Sequence, residues 1–445
     1  MQESVFFRLF IVFLITCLTA QAKHRESTYQ PPDGLVYGAA FKDLFLPVPL
    51  LGKLRSDTWG AENVIPRDIK NGIEDPAYSY WGGNMIEGED GKQHLFVCRW
   101  SSNERRGDKS GHRLWPRSEV VHAISENPLG PFEVIGVIGK GHNPEIYKTK
   151  DGTYFIGIIG KAYRSQSLDG PWELIDATLN SEMDYVNISN KSYVPREDGS
   201  VLMINKQGHI WISDRGDENF RQVTTERVYP SIAGAKLEDP VIWRDEVQYH
   251  LIVNDWLGRT AFYMRSPDGI RWKWAPGIAY DPQIMRYEDG TPENWYKFER
   301  PKVVQDPYGR ATHMNFAVID VVKDNDLAGD NHSSKNVVIP LTIPCRLEII
   351  NSGKISTTTE EIHLRILAED GFDPTKDVDL QSLRFGASEE VDFGRGSSAL
   401  RSEESGGDLV VVFGGARTGL SDENFAAKLL GQTSEGDLLF GYAKI

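Results

Sequence analysis

A short phrase recurs along this chain of 445 residues and limits its fold more than any other feature. It reads SENPLGPF at 125–132, SLDGPW at 167–172, SDRGDENF at 213–220 and SPDGIRW at 266–272. Each copy is a Ser, a polar turn with Gly, and an aromatic residue. A β-prone run precedes each: SEVVHAI, GKAYRSQ, GHIWI and TAFYMR. Upstream of each run lies a second phrase, a turn followed by an apolar strand. Its copies are DGKQHLFV (90–97), DGTYFIGI (151–158), DGSVLMIN (198–205) and EVQYHLIV (246–253). A fifth, YGRATHMNFAV (308–318), lacks the downstream phrase. Successive strand phrases lie 47 to 62 residues apart. Strand and turn signals at such a period predict an all-β fold, a β-propeller of five blades.

The flanks read differently. MQESVFFRLFIVFLITCLTAQA has Arg8, an apolar run from Leu9 to Leu18, and the small-x-small end Ala20-Gln21-Ala22. This is the pattern of a secretory signal peptide spanning 1–22. Its apolar run is too short to cross a bilayer. The expected product is secreted or periplasmic, with no membrane attachment after cleavage, and keeps only Cys98 and Cys345, too few for a disulfide framework. Residues 23–70, rich in Pro and Gly, read as an arm or lid. The propeller is expected over 71–345. Residues 346–445 read as a small β-sandwich-like module, with exposed loop at 393–407 and the best helix candidate at 423–431. A formal charge of −15 disfavours nucleic acid as a partner but leaves room for local cationic clusters.

Propeller sites gather at the mouth where the innermost strands open. Those openings are IEDPAYSYWGGNMI with Asp75 and Trp81, and GHNPEIY with His142, Asn143 and Glu145. The third is DYVNISNKSYV with Asp184, Asn187 and Asn190, then LEDPVIW with Glu238 and Asp239, and FERPKVV with Glu299 and Arg300. Asp75, Asn143 and Asp239 each precede a proline, and Glu299 is offset by one. Proline biases its predecessor toward extended geometry, which would present these side chains at the rim. Each carboxylate alone is as well explained as a turn cap. Several on one rim suit glycoside hydrolysis, where one carboxylic acid protonates the leaving oxygen and a carboxylate activates water or attacks the sugar.

The DP-type openings, EDPVIWRDEVQYHLIV followed by SPDGIRW, and ERPKVV with YGRATHMNFAV resemble the five-bladed propeller glycosidases, glycoside hydrolase family 43 and its relatives, including family 117. The resemblance covers about 70 to 345. It implies a base on the first blade, an Asp that tunes its neighbour, and an acid from a later blade. By position Asp75 resembles the base and Asp239 the tuning residue, while Glu299 and Glu238 both fit the acid. Asn187 and Asn190 stand where family 43 shows Asp, which points to a relative of that family. Family 117 implies a His acid, for which His142 and His313 are the available residues.

Trp81, beside Gly82-Gly83, could stack on a sugar or fill the core. Arg99, His112, Trp115 and Arg117 flank WSSNERRGDKSGHRLWPR, the most cationic stretch of the chain. It reads as a solvated loop or as a rim loop holding a carboxylate or sulfate. His122 and His250, in apolar strands, read as interior histidines. No His, Cys and Asp set has transition-metal spacing along the chain, so no metal is assigned. No cofactor is required, although the axis leaves room for Ca2+. The expected activity is that of an exo-acting glycoside hydrolase removing a terminal sugar from a plant or algal polysaccharide, acidic or sulfated among the options, by inversion. The alternatives are a carbohydrate-binding propeller without catalysis and a polysaccharide lyase using His142. The expected partner is a poly- or oligosaccharide, and the arm could reach a second copy to form a homodimer.

Overall fold

The computed structural model describes residues 27–177, 179–181, 186–187, 189–217 and 219–445. The expected signal peptide, Cys17 and Asp184 lie outside the described residues.

The recurring phrases become antiparallel sheets whose strands follow one another in chain order. The first sheet is Tyr78–Glu87, Gln93–Ser101, Glu119–Ser125 and Glu133–Lys140. The second is Glu145–Lys148, Tyr154–Gly157, Lys161–Ser165 and Glu173–Asp176. The third is Ser192–Pro195, Val201–Ile204, Ile210–Ser213 and Phe220–Gln222, with Leu179–Asn180 added in parallel at its edge. The fourth is Leu237–Arg244, Tyr249–Asp255, Thr260–Ser266 and Lys273–Trp274. The fifth has three strands, Lys297–Gln305, Ala311–Ile319 and Ser334–Pro340. The first strand of each sheet packs on those of the sheets before and after it, and the fifth returns to the first. The cycle is closed and propeller-like.

The Ser-turn-aromatic phrases are the wedges of this arrangement. The turn places its aromatic ring between successive sheets. Trp172 meets Phe96 of the first sheet with centroids 5.4 Å apart, and Phe220 joins Tyr147 and Tyr193 in one core. Burying such rings is worth roughly 1.5–3 kcal/mol each. The fifth sheet lacks the phrase and a fourth strand, and residues of the arm pack there instead. Phe41 and Phe45 join Phe316 and Val337 in a core that also takes in Leu430 and Phe440 from the end of the chain. The arm is fastened to that end by Val36 N donating to Asp392 O and by Lys428 Nζ donating to Gly38 O. It is a strap packed along its length.

After residue 346 two sheets enclose a separate core. One comprises Leu347–Ile349, Glu361–Ile366, Asp408–Gly414 and Ala399–Ser405, the other Arg384–Gly386, Ala426–Gln432 and Leu438–Lys444. Two local expectations fail here. ENFAAKLLG supplies strand Ala426–Gln432, because Ala426 to Leu430 are all buried between two partner strands. The segment expected as loop at 393–407 contains edge strand Ala399–Ser405, exposed along nearly its whole length. Its polar residues mark a solvent face, and its backbone still pairs with Asp408–Gly414.

Candidate functional site

Each first strand approaches the centre through a residue with left-handed backbone, followed in the first strand by a second, Gly83. The five leading residues are Gly82 (φ 62°), Asn143 (54°), Asn190 (51°), Asp239 (53°) and Arg300 (53°). The first, fourth and fifth sit at register shifts between Trp81 and Asn84, Glu238 and Val241, and Glu299 and Lys302. Such bulges re-aim a side chain, and left-handed geometry costs a non-glycine residue about 1–3 kcal/mol. The proline rule therefore fails for the residues before Pro144, Pro240 and Pro301, which are left-handed rather than extended.

The bulge side chains join in sequence around the centre. Asn143 Nδ2 donates to Asn190 Oδ1 at 3.0 Å, and Asn190 Nδ2 to Asp239 Oδ1 at 2.6 Å. Arg300 Nη1 closes on the same Asp239 oxygen at 2.7 Å. Gly82 occupies the remaining position: a Cβ there would lie 3.4 Å from Asn143 Oδ1 and 3.7 Å from Arg300 Nε. The fifth member of this set is thus Arg300 rather than Glu299, and the first is Gly82 rather than Asp75. Asp75 lies outside it, with Oδ1 accepting from Ala77 N at 2.8 Å as a turn cap.

The residue before each bulge forms a second set: Trp81, His142, Ser189, Glu238 and Glu299. Glu238, Asp239 and Glu299 each bring one oxygen to within 4.8 Å of the others. Burial and the charges of Asp239 and Glu299 push the Glu238 carboxyl up to about 7, although Lys206 forms an ion pair with it. Glu299 moves the other way. Burial opposes its charge, but Lys297 at 2.5 Å and Lys323 at 2.6 Å overcome this and hold it far below the usual carboxylate range. Two neighbouring carboxyls are thereby split into a proton holder and an anion.

Trp81 is buried under Lys323, whose Nζ lies 4.5 Å from the ring centre, so it offers no open stacking face. His112 is buried edge-on against Trp81 and Trp100, and its imidazole pKa is depressed by burial and by Lys323. Trp115 is the exposed ring of this group, 39% accessible and 4.6 Å from His142. His142 Nδ1 meets Ser118 Oγ at 3.0 Å and Cys98 Sγ at 3.4 Å. Ser118 donates its proton to Gly141 O and Cys98 to Trp81 O, so Nδ1 carries the imidazole hydrogen and Nε2 is the bare acceptor.

The structure separates other expected residues from this group. Arg99 pairs with Glu119 and lies over Tyr78, and Arg106, Arg113 and Arg117 pair with Glu104 or Asp324. Three of the five basic residues of the cationic stretch are therefore paired with carboxylates, two with the shared Glu104 and one with Asp324 outside it. His313 is hydrogen-bonded to Thr312 and outside the cluster. Glu145 is buried, accepts from Ser192 Oγ at 2.7 Å and pairs with Lys302. Its strand and that of Lys302 are not neighbours in the cycle, so the pair spans the interior. Asn187 accepts from Ser189 N, away from the five bulge residues. Sequence reasoning missed Lys206, Lys297 and Lys323, the three cations that set the carboxyls apart. Lys297 alone carried a visible signal, two residues before Glu299.

Neither a protein-family model nor a curated protein matches the sequence. Among solved structures, the chain is similar to Zg3597, a family 117 glycoside hydrolase from the marine bacterium Zobellia galactanivorans. The identity is 13%, covering 67% of this chain and 90% of that one, with a TM-score of 0.46. A family-62 α-L-arabinofuranosidase catalytic domain from Coprinopsis cinerea matches at 10% identity over 60% of this chain and 92% of its own, with a TM-score of 0.40. A thermostable family-43 glycoside hydrolase matches at 12% identity over 60% and 93%, with a TM-score of 0.39. Both families that the sequence resembles, 43 and 117, are among these similar structures.

Proposed function

We propose that the five sheets are the blades of one β-propeller, that the two final sheets are an accessory module, and that the chain is a secreted glycoside hydrolase. One observation carries the activity: Glu238 and Glu299 share a cluster with their carboxyl pKa values driven in opposite directions. Glycosidic cleavage needs a carboxylic acid that still holds its proton near neutrality and an anion facing the oxocarbenium-like transition state. Glu238 is the acid and Glu299 the anion. Asp239, clamped by Asn190 and Arg300, raises the proton affinity of Glu238 and is a positioning residue.

Trp115 and the mouth cations Lys206 and Lys323 suit an acidic sugar stacked at the rim. The expected inversion requires a second carboxyl about 6.5–9.5 Å from the acid. One oxygen of Glu299 lies within 4.8 Å of one of Glu238, nearer than that, so this pair favours retention. Asp75, the base that the family resemblance implies, would serve only an inverting mechanism.

The test is product analysis on acidic and neutral algal and plant oligosaccharides with wild type, Glu238→Gln and Asp75→Asn. Release of a terminal sugar that Glu238→Gln abolishes supports the reading, and the anomer first formed decides the stereochemistry. Products with a new double bond would replace it with a lyase. Binding without any turnover in wild type would leave a carbohydrate-binding protein.

A further inference from the structure

The strand phrases of the first two sheets bring together three residues that lie far apart in sequence. His94 is on Gln93–Ser101 and His122 on the neighbouring Glu119–Ser125. Phe96 pairs with His122 in that ladder, so His94, two residues earlier, shares its face. Asp169 belongs to the turn of SLDGPW in the second sheet, whose Trp172 wedges against Phe96. One ligand atom of each of the three falls within 4.8 Å of the others. Both imidazoles are buried, and the carboxylate is exposed.

The hydrogen bonds fix how the rings face. His94 Nε2 lies 3.0 Å from Asp90 Oδ1. A carboxylate accepts, so Nε2 carries the hydrogen and His94 Nδ1 is a bare lone pair. That lone pair points at His122 Nε2, 2.8 Å away. Gly88 makes room for the Asp90–His94 contact, since a Cβ there would come within 2.5 Å of both Asp90 Oδ1 and His94 Nε2. A carboxylate that orients one imidazole while its other nitrogen faces a second imidazole, with a further carboxylate close to the pair, is the donor arrangement of a transition-metal site with its outer partner.

We propose that His94 Nδ1, His122 Nε2 and Asp169 form a binding site for a divalent transition metal such as Zn2+, with Asp90 as the positioning residue. The ion takes the place of the hydrogen between the rings, which shifts from Nε2 to Nδ1 of His122, so both imidazoles bind in their neutral form and no proton is released. Two tetrahedral nitrogen ligands at about 2.0–2.1 Å from zinc lie roughly 3.3 Å apart, which needs only a small opening of the 2.8 Å contact. A fourth position is left to solvent. The ion would tie the first sheet to the second through the Asp169 turn, and its donors are separate from Glu238, Asp239 and Glu299. The sequence conceals the set because its members come from three turns and strands of two sheets.

The test uses the full chain, freed of metal by a chelator and titrated with Co2+, in a Glu238→Gln/Glu299→Gln background so that the other carboxylate cluster contributes nothing. The expected result is one equivalent bound with an intense visible d–d absorption, displaced by Zn2+. His122→Gln should abolish the band. Asp169→Asn, a change at an exposed turn that leaves folding intact, should weaken Co2+ at least tenfold, and Asp90→Asn by about 10–100-fold. Absence of the band, or a band and affinity unchanged by Asp169→Asn, overturns the proposal.

Discussion

Arg300 and Asp239, 61 residues apart, meet at 2.7 Å with both side chains almost wholly buried. The same Asp239 oxygen receives Asn190 at 2.6 Å. Breaking a buried pair by removing one partner costs about 3–5 kcal/mol, because the remaining charge is stranded. Arg300→Met should lower stability by that order, measured by denaturant unfolding. Asp239→Asn strands Arg300 in turn and should also move the pH profile of turnover to lower pH, because it removes a charge that raises Glu238.

Glu238 titrates near 7 in the folded chain. As the proposed acid catalyst it must be protonated, so turnover should fall as pH rises through about 7. The same shift has a stability consequence. The folded form holds this proton more tightly than the unfolded chain, so its contribution is full below about 4.5 and is lost as pH rises through about 7. Glu238→Gln should abolish turnover and remove that part of the alkaline stability loss.

Glu74 behaves oppositely. Burial opposes its charge, yet Lys335 at 2.9 Å and Arg67 at 2.5 Å hold its pKa down to about 2. A depressed carboxyl stabilises above its unfolded value of about 4.5, and the benefit is lost as pH falls through about 2. The shift corresponds to roughly 3 kcal/mol. Glu74→Gln should flatten the acid limb of a stability–pH curve while lowering stability at pH 7.

Gly83 approaches its neighbour's backbone: a Cβ would lie 2.2 Å from Phe96 O, at φ 88°. Gly83→Ala should therefore cost at least about 3 kcal/mol. Gly91, at φ 76° with open space around it, is the control. Gly91→Ala should cost only the backbone term of about 1–2 kcal/mol. Thermal unfolding of the two variants makes the comparison.

Trp115 is the exposed ring beside His142. If it stacks on substrate, Trp115→Ala should raise KM several-fold and leave Tm nearly unchanged.

The first four sheets were legible because each repeats its strand and turn chemistry within one stretch of chain, and the fifth keeps only the strand phrase. Glu238, Asp239 and Glu299 were legible for the same reason, being fixed by their strand openings. The first opening misled, because Asp75-Pro76 has the right residues while the bulge lies seven residues later at Gly82. Nothing in a glycine pair announces alignment with Asn143 or Asp239. Lys206 and Lys323 were hidden because they reach the carboxyls from loops outside the five openings. Helix ENFAAKLLG failed for a related reason: its helix-favouring Ala and Leu residues form a buried strand between two partners.

The Glu145–Lys302 pair joins first strands that are not adjacent in the cycle, with Ser192 bonded to the same carboxylate. One charged link therefore bridges the second and fifth sheets directly and takes in the third through Ser192, so three sheets share a single buried carboxylate and a change at any one of them is felt by the other two.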